Sequence, residues 1–160
     1  MQKDFADLAD AGRLLGIAIR DAKVEGLLLA VVPNGVPVAL AASQVCGLPV
    51  EGLFLERSDA GVVVRRLPDI TGKVVIVIDD GVETGTVARA VIGPIKEAGA
   101  VSVVLGVPVC PREAMADLAR RYDQIIAVKT PMVRRDLAWH FEDFDTIDED
   151  TATALLGTSA

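Results

Sequence analysis

Little in this sequence of 160 residues points to thiolate, disulfide or membrane chemistry. Its two cysteines, Cys46 and Cys110, have neither a metal-ligand spacing nor the arrangement of a disulfide framework. Both stand in apolar stretches, where buried free thiols are expected, in agreement with a reducing cytoplasm. The single histidine, His140, has no sequence feature that supplies a catalytic partner. Long apolar runs are missing: the stretch 27–32 is far too short to span a bilayer. The opening MQKDFADLAD is acidic and lacks the apolar centre of a secretory leader. Positive charge is scarce as well. Sixteen Lys and Arg against 23 Asp and Glu leave a formal net charge of −7. That balance argues against a general nucleic-acid binder, which needs clustered cations, but it leaves room for a small phosphorylated ligand held locally. No internal repeat or low-complexity segment is present.

What the chain does have is apolar bulk, with 51% hydrophobic residues in a length suited to one domain with a proper core, residues 1–160. The rest is organised around residues 74–88, VVIVIDDGVETGTVA. Val74 to Ile78 is an unbroken β-branched run, as in a strand buried on both faces of a parallel sheet. It ends in Asp79 and Asp80, then a loop of small and hydroxylated residues, then a helix expected over 87–98 with a kink or break at Gly93-Pro94. Free N–H groups at a helix start, aided by the hydroxyls of Thr84 and Thr86, can hold a phosphate. Two carboxylates at the strand end can accept hydrogen bonds from a ribose diol or hold Mg²⁺, directly or through water. The bland alternative is a buried strand ending in a solvated acidic turn.

Four or more apolar residues, two acids and a Thr/Gly loop, in that order and spacing, resemble the phosphoribosyl-pyrophosphate (PRPP) motif of type I phosphoribosyltransferases. The stretch FADLADAGRLL and the aromatic, acidic tail also resemble the start and end of a bacterial family of predicted phosphoribosyltransferases. The resemblance implies that residues Asp79, Asp80, Gly81, Val82, Glu83, Thr84, Gly85 and Thr86 bind PRPP, with Asp79 and Asp80 also at the metal. It makes Asn34, Gly35 and Val36, between a strand at 27–32 and a helix from Pro37 to about Cys46, a pyrophosphate loop. Asn34 departs from the family there, where a basic residue is usual. Arg57 also faces the pyrophosphate on this reading, with ordinary surface placement the alternative.

Elsewhere, residues 4–24 read as an amphipathic helix or two short ones, and 50–55 as a third strand. Residues 62–67 alternate into Arg65-Arg66, and 102–109 and 125–128 read as further strands around a helix at 111–121. Alternating strands and helices indicate an α/β, doubly wound parallel sheet, with ligands at the carboxyl ends of its strands. Only about a dozen residues stand where the family carries a long flexible closing loop, so that loop is shortened or absent. Residues 130–160 form a short C-terminal hood or tail, with Asp148 placed to cap a last helix. Trp139 and Phe141 either stack on a base, as in the family's hood, or anchor the tail on the sheet.

The implied function is transfer of ribose 5-phosphate from PRPP to a purine or pyrimidine base, with Mg²⁺ as cofactor and release of pyrophosphate. Glu83, an acid directly before Thr-Gly, stands where members acting on 6-oxopurines manage the base's proton, so it is the candidate catalytic residue. A catalytically weak PRPP- or nucleotide-binding regulatory module is the second reading, and an interaction domain on an inherited fold the third. A homodimer is compatible with either of the first two, and neither nucleic acid nor membrane is an expected partner.

Overall fold

The computed structural model describes residues 3–158. Its centre is a six-stranded sheet in the order β3-β2-β1-β4-β5-β6. These strands are β1 (Leu27–Val31), β2 (Val50–Ser58), β3 (Gly61–Arg66), β4 (Val74–Ile78), β5 (Ser102–Val109) and β6 (Gln124–Lys129). All neighbours pair in parallel except β2 and β3, which are antiparallel. The helices are α1 (Leu8–Ala22), α2 (Gly35–Cys46), α3 (Thr86–Glu97), α4 (Arg112–Arg121) and α5 (Glu149–Thr158).

Strand alternation divides the core in two. Leu28, Ala30, Ile76, Ile78 and Val104 point to the side covered by α1 and α2, where Leu15, Ile19, Val38 and Ala42 meet them. Leu27, Leu29, Val31, Val75, Val77, Val103, Leu105 and Val107 point to the other, against Val91, Ile92 and Ile95 of α3 and Leu118 of α4. All five residues of β1 are buried, as its unbroken apolar run predicts for a central parallel strand. Gly12 and Gly16 let α1 lie close on α2: a Cβ at Gly12 would stand 2.4 Å from the Val38 carbonyl oxygen, and one at Gly16 2.6 Å from that of Ala42.

The expected architecture holds, with local differences that have physical reasons. The first helix begins only at Leu8, because Asp7 caps it by accepting from the Asp10 N–H at 2.8 Å, and Phe5 before it forms an isolated bridge with Phe141. The third strand runs on to Ser58 and turns back through Asp59 and Ala60 into antiparallel β3, so the long closing loop is absent and the sheet is mixed at one edge. Pro94 lies inside α3 without dividing it. Proline there forfeits one bond, while the face carrying Val91, Ile92 and Ile95 stays packed on the sheet. Asp148 caps α5, its carboxylate accepting from the Thr151 N–H at 2.8 Å.

The hood joins both ends of the chain. Phe5 N–H donates to the His140 carbonyl at 3.0 Å, Glu142 N–H to the Phe5 carbonyl at 2.8 Å and Asp143 N–H to the Ala6 carbonyl at 2.9 Å. Leu8 N–H donates to the Asp145 carboxylate at 3.0 Å. Phe141 packs between Phe5 and Phe144, with ring centroids 5.2 and 5.0 Å away. His140 is buried, with Nδ1 2.7 Å from Asp4 Oδ2. Cys110 is buried and its thiol is pushed up to about 11 by burial, whereas Cys46 is only partly buried at the end of α2. Among the described residues no helix is long and apolar enough to cross a membrane.

Candidate functional site

At the carboxyl ends of β1 and β4 lies a cavity of about 370 Å³. Its floor is the acidic end of β4, and one wall is the loop from Gly81 to Thr86 that leads into α3. The loop cannot drift from the sheet, because Val82 N–H donates to the Val109 carbonyl of β5 at 2.8 Å. Gly85 takes a φ of 86°, in the left-handed region open to glycine, and turns the chain into the helix. Gly85 has no side chain to cap α3, so the cap residue leaves the first-turn N–H groups without a side-chain acceptor. The hydroxyls of Thr84 and Thr86 lie 3.0 Å apart across the same turn. The start of α3 is thus suited to an anion by backbone, dipole and hydroxyl together.

The opposite wall comes from the end of β1. A cis peptide joins Val32 to Pro33, and Asn34 leads into α2. Gly35 is pressed against β4: a Cβ there would be 2.5 Å from the Ile78 carbonyl oxygen and 3.2 Å from Asp79 Cα. This contact sets the second helix start beside the acid pair. Asn34 lines the cavity with Pro33, while Gly35 and Val36 lie buried behind it.

Asp79 and Asp80 are enclosed at the cavity floor, and Asp79 Oδ1 accepts from the Asp80 N–H at 2.8 Å. Burial, reinforced by the neighbouring Asp80 charge, raises Asp79 well above the usual carboxylate range. Burial also raises Asp80, where hydrogen bonds to Asp79 and the backbone oppose the shift and the Glu83 charge adds to it. Arg57 is a cavity residue whose charge favours the ionised form of both acids. An enclosed acid pair faced by one arginine is short of positive charge. It suits a hard cation, and hydroxyl donors such as a sugar diol. Among the described residues no group of three or more His, Cys, Asp or Glu side chains forms a metal cluster, so an ion would take the rest of its shell from water or a phosphorylated ligand.

Every residue of the expected PRPP stretch, 79–86, lines this one cavity, together with Asn34 and Arg57. The two aromatics expected to stack on a base do not. Phe141 is buried between Phe5 and Phe144, and Trp139 lies outside, with Lys3 Nζ 4.8 Å and the Arg135 guanidinium 4.4 Å from its ring centre. The hood residues that reach the cavity are Leu137 and Phe144. Phe144 belongs to the aromatic tail segment singled out from the sequence. Nothing local distinguishes it from Phe141, since contacts with residues 3–8 decide which ring faces inward.

Glu83 is placed unexpectedly. Its carboxylate lines the cavity, and one oxygen, Oε1, accepts from the Leu137 N–H at 2.7 Å. Asn34 behaves alike, its Oδ1 accepting from the Ile147 N–H at 2.9 Å.

Comparison with known proteins agrees with this fold. No family model matches the chain. A Mycobacterium tuberculosis protein with the curated name "Putative phosphoribosyl transferase" is 31% identical over 91 residues, which is 57% of this chain and 20% of the relative. The chain therefore spans about a fifth of the length of the curated relatives it matches. Among solved structures, the protein TT1426 of Thermus thermophilus superposes with a TM-score of 0.85 at 21% identity, covering 98% of this chain and 99% of that one. A purine phosphoribosyltransferase of Pyrococcus horikoshii gives 0.59 at 19% identity, over 83% and 97% of the two chains. A hypoxanthine phosphoribosyltransferase of Staphylococcus aureus gives 0.54 at 14%, over 79% and 74%. The chain has the fold of these phosphoribosyltransferases.

Proposed function

We propose that this protein transfers ribose 5-phosphate from PRPP to a nitrogenous base. The observation that carries the reading is the convergence of two helix starts and one acid pair on a single cavity of about 370 Å³. Each has a part in the chemistry. The Thr84–Thr86 turn and the first amides of α3 bind the 5-phosphate. Asp79 and Asp80 accept from the ribose 2- and 3-hydroxyls. Arg57 and the Asn34 side of the cavity meet the pyrophosphate as its charge grows, while Gly35 and Val36 stay behind the wall, the Val36 N–H donating to the Pro33 carbonyl at 3.2 Å. Asp79 and Asp80 would also hold Mg²⁺, which supplies charge neutralisation for the departing diphosphate.

Bond breaking at the anomeric carbon leaves positive character on the sugar, and the nucleophilic nitrogen of the base approaches from the hood side. Leu137 and Phe144 form an apolar wall there, suited to the face of a ring. The base loses a proton as the new bond forms. The Glu83 oxygen not engaged by Leu137 is the carboxylate atom available to manage it. The acceptor is a purine or pyrimidine.

Turnover tests this reading: PRPP, Mg²⁺ and a panel of purine and pyrimidine bases, followed by pyrophosphate release. Release that depends on one base and stops in Asp79→Asn, Asp80→Asn supports the transferase. A second reading, a PRPP or nucleotide sensor, is favoured by the two-residue connection at Asp59 and Ala60, which leaves no long loop to close over the site and exclude water. Tight PRPP binding without turnover of any base selects the sensor.

A further inference from the structure

Two polar side chains of the ligand loops are turned toward the hood. Asn34 stands at the start of α2, on the cavity wall, and accepts from Ile147 N–H at 2.9 Å. Glu83 stands just before the phosphate turn and accepts from Leu137 N–H at 2.7 Å. The two bonds hold opposite ends of the segment 137–147, and between them lies Phe144, the aromatic on the cavity wall. Gly81 reinforces the second contact, since a Cβ there would meet the Leu137 side chain at 2.5 Å. Both residues are thereby accounted for chemically. A lysine or arginine at position 34 has no acceptor for the Ile147 N–H, and an alanine at position 83 has none for Leu137.

We propose that Asn34 and Glu83 are positioning residues that clip the hood to the two anion loops and relay phosphate occupancy of those loops to the Leu137–Phe144 wall. The role rests on the reading of the cavity as a phosphoribosyl site. Its direction follows from charge. An anion on the Thr84–Thr86 turn repels the adjacent Glu83 carboxylate and drives it onto the Leu137 donor. An anion in the cavity between Arg57 and Asn34 fixes the turn that carries Asn34. Phosphate occupancy thus firms the Leu137–Phe144 wall through two hydrogen bonds.

Amide exchange read by NMR tests this on the whole protein, with Mg·PRPP and inorganic pyrophosphate as probes. In the parent, the Leu137 and Ile147 amides both slow when Mg·PRPP binds, and the Ile147 amide slows when pyrophosphate binds. In Glu83→Ala the unliganded Leu137 amide exchanges at least about tenfold faster, the scale of one hydrogen bond to a charged group. Probe binding then no longer slows it. Asn34→Ala does the same at Ile147. Glu83→Gln, which keeps an acceptor, restores protection at Leu137, a rescue that general loosening would not show. Protection in β1 and β4 stays unchanged in all three and controls for folding. A hood whose exchange ignores a bound probe, or an unchanged Leu137 amide in Glu83→Ala, overturns the proposal while leaving the transferase reading standing. Pyrophosphate binding without PRPP binding removes the transferase reading and leaves the clip to be judged on pyrophosphate. A parent that binds neither probe overturns both.

Discussion

Asp79 and Asp80 share a hydrogen bond from the Asp80 N–H to Asp79 Oδ1 at 2.8 Å, and burial raises both carboxyls above their ordinary value. Ionisation of the pair is therefore disfavoured in the fold, at a place where a cation and a diol would favour it. A folded-state pKa raised above the unfolded one means that the folded protein binds more protons across the interval between them. Stability then falls as pH rises from the usual carboxylate range through the folded value. Asp79→Asn removes the charge, so the unliganded variant is expected to melt higher than the parent at neutral pH. The advantage shrinks as pH is lowered and the parent carboxyl becomes neutral. Thermal melts of both proteins across pH check the sign.

Gly35→Ala is expected to separate the two anion loops. Its Cβ would lie 2.5 Å from the Ile78 carbonyl oxygen, an atom that cannot move without shifting β4. A cost of about 1–3 kcal/mol in stability is expected for overpacking at such a contact. PRPP affinity should fall more than stability does, because Asn34 and Asp79 move apart. Denaturant unfolding and calorimetry on the same preparation separate the effects.

Phe144→Ala is expected to raise the KM for the acceptor base while changing PRPP affinity little, since Phe144 lines the cavity and Trp139 does not. Trp139→Ala should leave both parameters near the parent's, with loss of the stacked cations Lys3 and Arg135 as its local effect. Initial-rate kinetics with each substrate varied in turn distinguish the two aromatics.

Glu83→Gln separates proton transfer from positioning. The amide oxygen can still accept from Leu137, but the charge is gone. Turnover should drop by about 10²- to 10⁴-fold, the usual scale for a positioned acid–base group. Mg·PRPP binding should remain or tighten slightly, one negative charge near the phosphates having been removed. Unchanged turnover in this variant would end the acid–base role of Glu83.

These expectations show what a single chain of residues reveals and what it hides. The parallel core was legible because a short β-branched run such as 74–78 favours a buried strand, and the acid pair and Thr-Gly turn follow it directly. The cavity walls near β1 and β4 were legible for the same reason: strand ends and helix starts are local. The hood was not. Its arrangement depends on bonds such as Leu8 N–H to Asp145, across 137 residues of chain, and a local pattern carries no record of such pairing. That is why Phe141 and Phe144 could not be told apart. The antiparallel return of β3 was hidden for a related reason: Arg65 and Arg66 end an alternating run that fits either direction of pairing. The hydrogen bonds of Asn34 and Glu83 to the hood were equally invisible, since both partners are backbone groups more than fifty residues away.

The central claim is that the acid pair and the two helix starts form one site for PRPP. Calorimetric titration of Mg·PRPP into the parent and into the Asp79→Asn, Asp80→Asn double variant tests it most directly. The account predicts saturable binding to the parent, with a loss of at least about 1–3 kcal/mol in the variant, the scale of a hydrogen bond to a charged group. The variant should remain folded by circular dichroism. Equal affinity in a folded double variant, or no binding to the parent, would contradict it.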